Sequence, residues 1–336
     1  MITIIMPVYN EGGFIYQNVL AVRDTLREAR VDHRFLLVDD GSRDDSWDEM
    51  CRLAAEQGGV TVVRLARNFG KESAIYAALR HFSDNADAPG GEELSGAAVV
   101  MDSDLQHPPS YIPEMVRLWR DEGYDVVEGV KADRGRESIG SKLAALLFYR
   151  AFSKSTGIDI GVASDFKLLD RKVVEAISQL PESNTFFRGL SAWVGFRRYA
   201  LPIKIAPRAG GDTKFTTRQL IRLAINSITA YTAAPLFIVF WLGLLMGLLA
   251  VGLSVHTLIQ YFSHNALPGF PTVILLQLYI GSGIMLSLSV IGLYIAKIYD
   301  EVKGRPRYIV RRIQQSPQKS GPEQEIIAKK TDESGQ

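Results

Sequence analysis

The residues best suited to chemistry stand at the ends of three apolar runs. Ile2 to Val8 closes on Pro7-Val8-Tyr9-Asn10-Glu11, Arg34 to Val38 on Asp39-Asp40-Gly41-Ser42, and Ala97 to Met101 on Asp102-Ser103-Asp104-Leu105-Gln106. In an extended segment, side chains two residues apart point the same way, so Asp102 and Asp104 can offer oxygens to one hard cation. Such a cation would bridge the protein to a diphosphate. The plainer reading of Asp-Ser-Asp is a solvated turn, and that of Asp40 and Ser42 is a cap on the helix that follows, which could coexist with binding. Three polar strand ends converging on one sheet edge favour a site. No G-x-G-x-x-G follows the first run and no G-x-x-x-x-G-K-[ST] occurs in the chain, so dinucleotide redox chemistry and P-loop chemistry lose their main support.

Holding these ends together requires a parallel sheet. Short apolar runs at Ile2 to Val8, Arg34 to Val38, Thr61 to Leu65, Ala97 to Met101 and Asp125 to Val130 alternate with helical patterns near 14–29, 44–56, 71–81 and 110–121. That order predicts an α/β domain with a mostly parallel sheet and ligands at the carboxyl ends of its strands. The polar stretch 84–96 reads as a surface loop, and Asp165 to Ile203 adds a further strand and helix region. Lys plus Arg number 38 against 37 Asp plus Glu, which gives no support to a nucleic-acid partner for the whole chain. The single cysteine, Cys51, excludes an intramolecular disulfide and a Cys-based zinc site, and suits a reducing compartment. No basic leader precedes Ile2, so no signal peptide is expected.

The composition breaks near Tyr231. Tyr231 to Phe262 and Thr272 to Ala296 carry no Asp, Glu, Lys or Arg, and each is longer than the roughly 20 apolar residues that span a bilayer. A two-helix transmembrane hairpin is expected, the alternative being a pair of buried helices in a soluble protein. Arg208, Lys214, Arg218 and Arg222 precede it, Lys297, Lys303, Arg305, Arg307, Arg311 and Arg312 follow it, and the connecting turn has no Lys or Arg. This asymmetry predicts both termini in the cytoplasm. Leu220, Ile221, Ala224, Ile225, Ile228 and Tyr231 form a helical stripe that suits either the membrane interface or the domain's own core. The expected division is a catalytic domain over 1–205, an interfacial linker and amphipathic helix over 206–231, two transmembrane helices over 232–298, and a cytoplasmic tail over 299–336 that is disordered after about 316.

Taken in order, VYNEGG, VDDGSRDDS, RNFGKESA, MDSDLQHPP, SDFKLLDR, FRGLSAWVGF, AGGDTKF and EVKGRPRYIV resemble the family 2 glycosyltransferases that load a sugar onto a polyprenyl phosphate. The likeness runs from residue 1 to about 312. It is nearest to the bactoprenol glucosyltransferases, which share the two C-terminal membrane helices, and extends to dolichol-phosphate mannose synthases. It implies a GT-A (Rossmann-like) fold, a nucleotide-sugar donor, a divalent Mg²⁺ or Mn²⁺ cofactor and an inverting transfer. LQHPPS departs from the pattern, which has acidic residues where this chain has His107 and Ser110. His107 is read as a surface-loop histidine, with metal ligation as the alternative.

The resemblance also implies roles. Pro7, Tyr9, Glu11, Asp39, Asp40 and Asp102 would form the nucleotide-sugar pocket, Asp39 facing the base or ribose. Asp102, Asp104 and Gln106 would hold the metal. Lys131, Arg134 and Lys142 would contact the acceptor phosphate, with Lys214 as a further candidate at the membrane entrance. Asp104 and Asp165 would be the catalytic pair, Asp165 as an orienting or acid/base residue. A phosphate monoester, with a second pKa of about 6, is already an anionic nucleophile at neutral pH, so cations that aim it matter more than a base. The expected reaction moves glucose from UDP-glucose to undecaprenyl phosphate at the cytoplasmic membrane face for cell-envelope use, with a separate flippase downstream. Mannose, galactose, N-acetylated hexosamines and amino-arabinose stay open as the sugar, and so does a homo-oligomer. A processive polysaccharide synthase is set aside because no QxxRW motif occurs. A non-catalytic membrane adaptor or flippase subunit is disfavoured by the intact strand-end acids, and by His256 being the one ionisable residue within the apolar stretches.

Overall fold

The structure, a computed structural model, describes residues 1–85, 96–131, 163–180, 187–204, 234–262 and 270–316. The elements in chain order are β1 (Ile2–Val8), α1 (Ile15–Glu28), β2 (His33–Asp39), α2 (Ser46–Glu56), β3 (Val60–Leu65), α3 (Lys71–Asp84), β4 (Ala97–Val100) and α4 (Ile112–Glu122). There follow β5 (Val126–Lys131), β6 (Ala163–Asp170), α5 (Arg171–Ser178), α6 (Phe187–Trp193), β7 (Arg198–Ile203), two long helices α7 (Ala234–Phe262) and α8 (Phe270–Val302), and β8 (Val310–Gln315).

Eight strands form one sheet in the order β7-β5-β6-β4-β1-β2-β3-β8. The centre, β3-β2-β1-β4, is parallel throughout, with Ile2 opposite His33 and Ala97. β1 reads as a continuous apolar run because both of its faces are covered. Ile2, Ile4, Met6 and Val8 enter one buried cluster with residues of α1, α2 and α4, while Ile5 enters a second with residues of α3, α5 and α6. The carboxyl ends of β1, β2, β3, β4 and β5 therefore share an edge.

Two strands run against the rest. β6 is antiparallel to both β4 and β5, with Val100 opposite Lys167. Its first residues, including Asp165, therefore reach the edge where β4 ends. β8 lies antiparallel to β3, with Val63 opposite Ile313, and Ser316 closes it through hydrogen bonds to the backbone of Val60 and Gln57. Within the segment expected as a cytoplasmic tail, 299–336, α8 continues to Val302 and 310–315 join the sheet. The pairing joins residues some 250 positions apart, which no local pattern announces.

The described chain separates into two compact units, one holding the sheet and its helices up to Lys204 together with residues from Pro306 onward, the other holding α7 and α8. With 29 and 33 residues, these helices run for ~44 and ~50 Å at 1.5 Å per residue. They pack on one another and leave large apolar side chains such as Phe240, Trp241, Phe262 and Met285 exposed. Tyr279–Val302 is long and apolar enough to cross a membrane, and Val239–Leu253 is a shorter apolar stretch within α7. The expected interfacial segment 206–231 lies outside the described residues, as does everything after 316.

Candidate active site

The β1–α1, β2–α2 and β3–α3 loops lock together at the carboxyl edge. Asn10 adopts a left-handed conformation at φ 54°, its amide donates to Ser42 Oγ (3.0 Å), and its side-chain oxygen accepts from the Arg43 amide (2.9 Å). The amides of Glu11 and Gly12 donate to Ser46 Oγ and Asp44 Oδ2. Gly41, at φ 69°, lies so close to Arg67 that a Cβ would sit 2.5 Å from its carbonyl carbon. Only glycine fits both the angle and the approach.

A cleft of about 270 Å³ opens above these loops, and Pro7, Tyr9, Glu11, Asp40, Lys71, Asp102 and Asp104 are among its walls. An ionic cluster meets it through Lys71 and Asp102. Lys71 Nζ lies 2.5 Å from Asp102 Oδ1 and 2.8 Å from Asp165 Oδ2, and Arg188 grips Asp165 with two bonds, from Nε to Oδ1 at 2.6 Å and from Nη2 to Oδ2 at 3.0 Å. Burial alone would raise the Asp165 pKa, but Arg188 and Lys71 outweigh it and hold the carboxylate well below the usual range. Burial likewise opposes charge on Lys71, and Asp102 and Asp165 reverse that and raise its pKa. Beside them Glu72 is buried, accepts the Phe187 amide at 2.8 Å, and is pushed up to about 7 by burial and then by the charge of Asp165.

The residues anticipated from sequence take different places. Pro7, Tyr9, Glu11, Asp40, Asp102 and Asp104 come together in the cleft. Asp40 uses both oxygens to bind the amides of Phe69 (2.7 Å) and Gly70 (2.8 Å), so it holds the loop before α3 and does not cap α2. Asp39 is fully buried, accepting from the Ser42 amide (2.8 Å) and pairing with Arg64 (3.2 Å), and its oxygens are turned inward to these partners. Gln106 follows Leu105, a residue at φ 55°, and its side-chain nitrogen is buried without a partner among the described residues. His107 is not a surface histidine: it is buried, stacks on Phe166 at 5.3 Å, and has its pKa lowered by burial. Its neighbour lies 59 positions later, so the loop sequence alone misplaces it. The backbone of Lys131 ends β5 at this same edge, while Arg134, Lys142 and Lys214 lie outside the described residues.

Lys71 and Arg188 were not singled out in the sequence, although RNFGKESA and FRGLSAWVGF contain them. Lys71 left a signal. It opens α3, where the positive end of the helix dipole disfavours a cation, so some outside partner has to hold it. Arg188 has no comparable local mark.

The donor set suits a divalent cation shared with a substrate. Glu11 is raised by burial, with Asp104, Asp102 and Asp44 adding to it, and its Oε2 is buried without a partner among the described residues. Glu11, Asp102 and Asp104 therefore gather acid in the cleft wall that Lys71 only partly offsets. Among the described residues no three His, Cys, Asp or Glu side chains close a complete metal site. Oxygens of a diphosphate would have to complete the shell, which is the usual arrangement for Mg²⁺ on one or two carboxylates.

Residues 3–178 match the family model described as glycosyl transferase family 2. The chain belongs to that family. Family 2 relatives align along nearly its whole length: the uncharacterized glycosyltransferase YkcC of Bacillus subtilis is 35% identical over 314 residues, 92% of this chain and 93% of that protein. A prophage bactoprenol glucosyl transferase homolog of Escherichia coli is 31% identical over 93% of this chain and 99% of its own length. The bactoprenol glucosyl transferase of Shigella phage SfV is also 31% identical, over 94% and 99%. Among solved structures, glucosyl-3-phosphoglycerate synthase from Mycobacterium tuberculosis, in complex with Mn²⁺, UDP-glucose and phosphoglyceric acid, aligns with a TM-score of 0.43 and 19% identity, over 68% of this chain and 77% of that one. This family 2 glycosyltransferase has the GT-A-like fold expected from its motifs, with the mostly parallel sheet that places Asp102 and Asp104 at the cleft.

Proposed function

We propose that the enzyme transfers glucose from UDP-glucose to undecaprenyl phosphate at the cytoplasmic face of the membrane, inverting the anomeric carbon. The observation that carries this reading is the acidic cleft of Glu11, Asp102 and Asp104 with the ion-paired Lys71 in its wall, in a chain whose relatives along nearly its whole length include bactoprenol glucosyl transferases. Asp102 and Asp104, with Gln106, would hold Mg²⁺ or Mn²⁺. When bound, that ion supplies positive charge for the departing diphosphate.

The chain's own residues do the remaining work. Pro7, Tyr9 and Glu11 line the donor side, and Asp40 holds the loop that presents Gly70 and Lys71. Asp165 is held as an anion by Arg188 and Lys71, which disfavours its taking a proton, so we assign it the role of positioning those two cations. No base is missed, because a phosphate monoester with a pKa of about 6 arrives as an anion. Lys131, Arg134, Lys142 and Lys214 are the cations we assign to that acceptor phosphate.

The two long helices are assigned as a transmembrane hairpin with the catalytic unit and the tail on the cytoplasmic side. The β3–β8 pairing supports this topology, because strands before and after the helices share one sheet and the pair must start and finish on the same face. The product would then face inward and need a separate flippase. The test is to incubate the purified full chain with undecaprenyl phosphate and a panel of radiolabelled nucleotide sugars. Label from UDP-glucose entering the lipid phase is the expected result. Label entering from another donor alone would reassign the sugar, and no lipid label from any donor would refute the reaction.

A further inference from the structure

At the opposite end of the sheet, where β1 and β2 begin, a second cavity of about 310 Å³ is walled by Arg23, Arg27, Arg30, Asp32 and His33. It is comparable in size to the cleft, and its charge is poorly balanced. Arg23 and Arg27, four residues apart, share one face of α1, and Arg30 follows just beyond the end of the helix. Arg23 is buried, donates to Gln57 Oε1 (2.6 Å) and to the Gly58 carbonyl (3.0 Å), and lies over the Phe35 ring. Arg27 and Arg30 have no ion-pair partner among the described residues, and Asp32 is the one acid in the wall. The crowding of positive charge is felt locally: burial and then Arg27 lower the Arg23 pKa, and burial lowers that of His33, with Arg23 and Arg27 adding to the effect.

The backbone supplies an independent observation. α1 ends in a Schellman motif, the Arg30 amide donating to the Arg27 carbonyl (3.0 Å) and the Val31 amide to that of Leu26 (2.9 Å). Arg30 therefore occupies the left-handed position, at φ 54°, that glycine fills most cheaply. A strained residue whose side chain joins a charged cavity points to a use for that side chain.

We propose that this cavity binds a phosphate-bearing anion, with Arg27 and Arg30 donating charge-assisted hydrogen bonds and Arg23 forming a fixed inner wall. Guanidinium groups match phosphate oxygens two at a time, and an anion here would relieve the repulsion among the three cations. The site lies at the amino ends of the strands, so its ligand is not one of the two substrates at the carboxyl edge. The phosphate could belong to a soluble compound or to a lipid headgroup.

The test uses the full chain in detergent with EDTA present, so that metal-held binding in the cleft does not contribute. Pyrophosphate is titrated calorimetrically into the wild type, Arg27→Ala and Arg30→Gly, the latter a change that the backbone accommodates readily. Wild-type binding weakened tenfold or more in both variants supports the site and a soluble ligand. No pyrophosphate binding, together with a thermal shift in phosphatidylglycerol over phosphatidylcholine nanodiscs that both variants lose, supports the site and a lipid source. Equal responses in wild type and variants, or no response to either probe, would overturn the proposal.

Discussion

Asp165 and Lys167 stand two residues apart on β6, and each anchors an ionic cluster, yet the clusters serve different ends. Lys167 is sealed at 1% exposure, donating to Glu128 (2.9 Å) and Ser191 (2.6 Å), with its pKa lowered by burial. Asp165 opens through Lys71 onto Asp102, and the side chains of Lys71 and Asp102 remain 42% and 29% exposed at the cleft. In the closed cluster every charge is answered within the fold, so it contributes to structure. In the open cluster Lys71 and Arg188 answer Asp102 and Asp165, while Glu11 and Asp104 in the same cleft have no ion-pair partner among the described residues, so acid is left over for a ligand. An ion pair in a site thus means little until its exposure and its unanswered charges are counted.

The largest expected effect breaks the closed cluster. Lys167→Met leaves Glu128 with Arg198 at 3.8 Å as its nearest remaining cation, and should destabilise the protein by about 3 kcal/mol, the low end for breaking a buried pair. Denaturant unfolding would measure this, and activity per folded molecule should stay near that of the wild type. The open cluster should behave in the reverse way. Asp104→Asn should lower kcat by at least about a hundredfold, roughly 2.7 kcal/mol of transition-state stabilisation, with little change in the unfolding midpoint. If both substitutions moved stability and activity together, the distinction between the clusters would fail.

A smaller effect sharpens the boundary between them. Glu72 is raised from 4.5 to about 7 in the folded state. The folded protein therefore holds a proton that the unfolded chain releases, and this contribution to stability is complete below pH 4.5 and fades as pH rises toward 7. Glu72→Gln keeps an acceptor for the Phe187 amide and removes the titration. Melting temperatures measured between pH 5 and 8 should fall with pH less steeply in the variant than in the wild type.

Much of the fold was legible because its signals are local. β1 coincides with the apolar run 2–8, and β2 to β5 lie within one or two residues of the runs expected, since strands buried on both faces need unbroken apolar sequence. The strand-end acids were legible for the same reason, being tied to those runs. What escaped depends on distant partners. β8 is an exposed edge strand of mixed composition that pairs with β3, His107 stacks on Phe166, and Asp165 is paired with Arg188 from a helix further along. Arg30 was legible in principle, as an arginine where a helix ending calls for glycine, but its neighbours Arg23 and Arg27 gain meaning only once the cavity is seen.

In the proposed reaction a diphosphate is held at the open cluster through a divalent ion on Asp102 and Asp104. Calorimetric titration of UDP into the full chain, without acceptor, tests this most directly. Binding in Mn²⁺ that is lost in EDTA and lost in Asp104→Asn is the predicted result. UDP binding of equal strength in all three conditions would contradict it.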